Sequence, residues 1–148
     1  MDNEKAREIS RRLAQRVGTS SEDEWGIWAA LMAFPSSPSN YWLPREGSTL
    51  HWVEDRALIR ATAAPEAKLD CRAQPLVRDQ WGIEVSFQSA SLDDAGFQRP
   101  GLRSNWSFHL PSGEVLEIEG ETLVSRDSSA PNEAEILARD IALSMLKA

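Results

Sequence analysis

Few side chains in this chain of 148 residues are of the types that do chemistry. It holds two histidines, His51 and His109, and a single cysteine, Cys71. One cysteine excludes an internal disulfide. Cys71 alternates with Asp70 and Arg72, on the same side of an extended segment as Leu69 and Ala73. That spacing predicts a buried, inert thiol rather than a nucleophile. The acidic clusters Glu22-Asp23-Glu24 and Asp93-Asp94 suit a helix N-terminus and a loop better than a pair of catalytic carboxylates. His109, Glu117 and Glu119 share one face of an expected hairpin, but a metal would need another strong ligand and supporting hydrogen bonds. No CxxC, HExxH, GxGxxG, GxSxG or phosphate-binding loop is present. The chain therefore offers no catalytic residue, no metal ligand set and no cofactor site to assign.

Aromatic surface is more plentiful. Six tryptophans, Trp25, Trp28, Trp42, Trp52, Trp81 and Trp106, each bring a large contact area and one N–H that needs an acceptor. From Trp25 to Pro44 there is no charge at all. The net charge is −7, which argues against nucleic acid as a partner, because phosphate binding draws on Lys and Arg. Residues 1–18 differ, with five basic against three acidic side chains, which leaves −9 on the remainder. The start, MDNEKAREIS, lacks the apolar stretch of a signal peptide. No apolar run approaches the ~20 residues that span a bilayer. The expectation is a cytoplasmic protein without a membrane partner.

Positioning these residues requires elements that the pattern predicts. Ala6, Ile9, Leu13 and Val17 form a helical stripe over 3–17, with Gly18 placed as its left-handed cap. A capping box beginning at Ser21 predicts a second helix over about 22–34, stopped by Pro35. It is apolar nearly all round and so is expected to be buried on more than one side. Period-two alternation then runs from about 48 to 125, interrupted by a long loop at 89–103. The best-defined strands flank Pro111-Ser112-Gly113, where turn chemistry and hydrophobic pattern agree on pairing Phe108 with Leu116 and Trp106 with Ile118. A closing helix is expected over 131–147, with Pro131 in its first turn and a core stripe that includes Leu137, Ile141, Met145 and Leu146.

The order implies an α+β fold in a single domain, 1–148: two N-terminal helices, an antiparallel meander sheet of five to seven strands, and a long C-terminal helix packed on the sheet. A chain of this length buries roughly 70% of its unfolded surface, enough for a core without staples. The function that best fits is a non-catalytic protein-binding module, an adaptor, chaperone or immunity-type protein, working alone or as a homodimer. Its expected contact residues are Tyr41 and Trp42 in the uncharged loop and Ile136 and Leu143, one heptad apart on the back of the last helix. The second reading is a binder of a small apolar ligand between the sheet and the C-terminal helix. An enzyme without a recognisable motif comes third.

Overall fold

The computed structural model describes every residue except Thr19, Ser36, Ser37, Ala67 and Ala148. The fold is α+β, with three helices and two sheets among the described residues. The chain divides into two compact units, Met1–Gln74 and Pro75–Ala148.

The first unit holds α1 (Asn3–Val17), α2 (Ser21–Ala33) and a sheet ordered β1 (Thr49–Glu54), β2 (Ala57–Ala64), β3 (Lys68–Pro75). Asp2 caps α1 by accepting from the Glu4 amide, and Gly18 ends it at φ 65° with its N–H on the Ala14 carbonyl. Ser20 caps α2 by accepting from the Asp23 amide, one residue earlier than the expected box. The stripe of α1 finds its surface within this unit. Ala6, Ile9 and Leu13 are buried with Ile27 and Leu31 of α2 and with Leu50, Trp52 and Ala61 of the sheet. Phe34 meets Trp52 edge-on at 5.6 Å. The β1–β2 hairpin turns on Asp55 and Arg56, both at positive φ (52° and 62°). A two-residue turn of this shape favours glycine, and a side chain there costs about 1 kcal/mol or more. Arg56→Gly is therefore expected to raise stability by roughly 0.5 kcal/mol, after the entropy of the added glycine is set against the relieved strain. An unchanged or lower denaturation midpoint would contradict this.

The second unit is a sheet ordered β4 (Gly82–Asp94), β5 (Phe97–His109), β6 (Val115–Val124), β7 (Ser129–Pro131), with α3 (Glu133–Leu146) packed on β6. The expected register holds: Phe108 pairs with Leu116 and Trp106 with Ile118, and Gly113 sits at φ 90° in the turn. Phe108, Ile118, Leu137 and Ile141 are buried completely or nearly so, each contributing about 1.5–3 kcal/mol of transfer free energy.

Four expectations need correction. The strands form two sheets, of three and four strands, and not one meander. Pro75 ends β3 without an amide to donate, and residues 76–81 interrupt pairing before β4 begins. The supposed loop at 89–103 is mostly strand, since β4 and β5 continue to a tight turn on Ala95 and Gly96, both at positive φ. Pro100 is tolerated because β6 pairs with β5 only from Gly101 onward. The last helix is shorter than 131–147: Pro131 belongs to β7 and Asn132 is the cap. Leu146 lies outside the core, 63% exposed.

Candidate functional site

α2 departs most from its sequence pattern. Of its apolar residues, Ile27 and Leu31 are buried, whereas Trp25 is 54% exposed and Met32 is also exposed. One face of the helix enters the core of the first unit, and the other leaves aromatic surface in water.

That surface is organised. Trp25 and Trp28 are one turn apart and meet edge-to-face, with ring centroids 5.6 Å apart. The guanidinium of Arg7 lies 5.2 Å from the Trp25 ring and 5.9 Å from the Trp28 ring, within cation–π range of both. Trp28 is fixed by its indole N–H, which donates to Asn3 Oδ1 at 3.0 Å. Arg7, Ser10 and Arg11 of α1 and Glu24, Trp25 and Trp28 of α2 line a cavity of about 160 Å³. Arg7 and Arg11 are spaced i,i+4, beside the buried stripe of α1, and neither forms an ion pair among the described residues. The groove thus presents two indoles, the Glu24 carboxylate and two guanidinium groups, each guanidinium able to donate two hydrogen bonds to a carboxylate.

The residues expected to make contacts lie elsewhere. Tyr41 is half-buried, its ring 5.8 Å from the guanidinium carbon of Arg12. Burial, and secondarily the negative charge of Glu8, hold its hydroxyl above the ordinary tyrosine range. Trp42 exchanges two backbone hydrogen bonds of 2.8 Å with His51, and its indole leans on the buried His51 ring at 4.8 Å. Lys5 donates to the Pro38 carbonyl at 2.6 Å, and Leu43 is buried. The described part of the uncharged segment is tied to α1 and β1, while Ser36 and Ser37 lie outside the described residues. On α3, Ile136 is partly buried and Leu143 is 51% exposed.

The remaining candidates for chemistry are dispersed. Cys71 is exposed, which corrects the expectation of a buried thiol: β3 is an end strand with solvent on both faces. Partial desolvation, followed by the charge of Asp70, pushes its thiol up, so the nucleophilic thiolate is scarce at neutral pH. His109 sits 3.6 Å from Glu84 on the paired strand. Among the described residues no three ligands gather to hold a metal. The layer between α3 and its sheet, the place expected for an apolar ligand, is occupied by Trp106, Phe108, Ile118, Leu137, Ile141 and Met145, all buried. Among the described residues no helix is long and apolar enough to cross a membrane.

No protein-family model, curated protein or solved structure matches the chain. Among the described residues, the α1–α2 groove brings together two tryptophans and two arginines and is taken as the candidate site. Sequence reasoning missed it because an all-round apolar helix reads as a buried one. The available signal was the pairing of two i,i+4 arginines beside one stripe with two i,i+3 tryptophans on the next helix.

Proposed function

We propose that the chain is a non-catalytic protein-binding module that docks its partner in the groove between α1 and α2. The observation that carries this reading is Trp25, half in water, braced by Trp28 and overlaid by Arg7. Tryptophan and arginine are the residues on which interface energy concentrates, and here they form one preorganised cluster. The guanidinium groups of Arg7 and Arg11, without an ion pair among the described residues, favour a partner segment that carries a carboxylate beside an aromatic or aliphatic side chain. Tyr41, Trp42, Ile136 and Leu143 are proposed as secondary contacts, with homodimer formation as a further mode of association.

Three baits test the reading: wild type, Trp25→Ala and the double variant Arg7→Glu with Arg11→Glu. Trp25→Ala is a change at a half-exposed site and should cost little stability, about 1 kcal/mol at most. A protein retained by the wild type from extracts of its own cells, and lost by both variants while each stays folded, is the expected result. Equal retention by all three baits would refute the groove as the docking site.

A further inference from the structure

The sheet of the second unit ends on one side in β7, three residues long, and on the other in β4, thirteen residues long. Short end strands protect themselves; long ones usually carry lysine, proline or a bulge to discourage pairing with another chain. β4 has none of the first two. Gly82–Asp94 contains no Lys, Arg or Pro, it pairs without interruption along its whole length with β5, and Val85 to Leu92 is uncharged. Its outer backbone edge makes no hydrogen bond among the described residues. Val85 and Phe87 stand 40% and 53% exposed on the face that carries α3, with Phe87 edge-on to Trp106 at 5.9 Å.

We infer that β4 is a homodimer edge, pairing antiparallel with β4 of a second copy to make one continuous eight-stranded sheet. The pattern of β4 is self-complementary in a way that a twofold contact requires. A twofold axis at Ser86 sets Val85 opposite Phe87 of the mate, and Phe87 opposite Val85, so aromatic and β-branched side chains meet twice. It sets Glu84 opposite Gln88 and Ile83 opposite Ser89. The acidic residues Glu84, Asp93 and Asp94 never face one another in this register, whereas an axis at Ser89 would set Glu84 against Asp94. Both α3 helices then lie on the same face of the joined sheet, and the exposed phenylalanines come under cover. This edge is distinct from the α1–α2 groove and does not depend on it.

The side chain of Ser86 is exposed on the opposite face and lies on the proposed axis. It therefore reports on the register without touching the core. At tens of micromolar, sedimentation should give the wild type a mass twice the 16.5 kDa of the chain. Ser86→Lys and Ser86→Asp should each remain folded by circular dichroism and sediment as monomers, because like charges meet on the axis. An equimolar mixture of the two should recover the dimer. If either fails to fold, Phe87→Thr takes its place, with the dimer dissociation constant expected to rise by about tenfold or more. A wild type that stays monomeric to several hundred micromolar would overturn the proposal. So would a dimer that survives both Ser86 variants, one that Ile136→Glu with Leu143→Glu dissolves instead, or a mixture that fails to recover it.

Discussion

Gly120→Ala is expected to cost about 3 kcal/mol or more, read as a shift of the urea midpoint. Gly120 lies inside β6, opposite Ser104, with α3 directly over it. A Cβ there would stand 2.9 Å from Glu135 Cβ and 3.0 Å from its Cα, and closer still to Oε2. The Cα belongs to the backbone of a packed helix and cannot step aside, so α3 would have to lift from the sheet. The sign makes the result diagnostic. A glycine in an ordinary strand is a weakness of roughly 0.5–1 kcal/mol, and replacing it with alanine normally helps. A neutral or stabilising Gly120→Ala would mean that α3 does not rest on β6 at this point.

Glu135→Ala is expected to lose roughly 2–4 kcal/mol. Glu135 is fully buried, and each oxygen has a partner: Oε2 accepts from the Trp106 indole at 3.1 Å, and Oε1 from Arg139 Nε at 3.0 Å. Its own amide donates to Asn132 Oδ1, which also accepts from the amide of Glu121 on β6. Truncation leaves the buried indole N–H of Trp106 without an acceptor and opens a void beside Gly120. Arg139 is 41% exposed, so its loss of a partner adds little. Glu135→Gln keeps an oxygen for Trp106 and should lose less than half as much. The two sites touch, so Gly120→Ala and Glu135→Ala together should cost less than the sum of the separate changes, by about 1 kcal/mol. Strict additivity, or a Glu135→Gln as damaging as Glu135→Ala, would contradict this account of the contact.

The elements readable from the sequence are those where independent local signals agree. In the 104–120 hairpin, Pro111-Ser112-Gly113 and the alternation around it specify the same register, and the pairing follows it residue for residue. The stripe of α1 and its glycine cap are local for the same reason. Where one signal stands alone, it misleads. Asp94-Ala95-Gly96-Phe97 is a hairpin turn, but the polar residues on both sides of β4 and β5 and the Pro100-Gly101 pair read as loop. Whether strands join in one sheet or two depends on which edges meet, and β3 and β4 show similar exposed, polar alternation. The burial of Glu135 is equally illegible: in the first turn of a helix, an acid reads as a solvated partner of the dipole. Its true position is set by a glycine and a tryptophan on two different strands. The groove was hidden by its tryptophans, since the residue type that best fills a core is also the one that best fills an interface.

The central claim is that partner affinity resides in the α1–α2 groove, and titration calorimetry tests it most directly. Trp25→Ala is titrated against a partner captured by the wild-type chain, with the melting temperature of each bait measured alongside. The account predicts a Kd weakened by roughly 30-fold or more, equivalent to about 2 kcal/mol, at a nearly unchanged melting temperature. An unchanged Kd for a folded Trp25→Ala protein would contradict it.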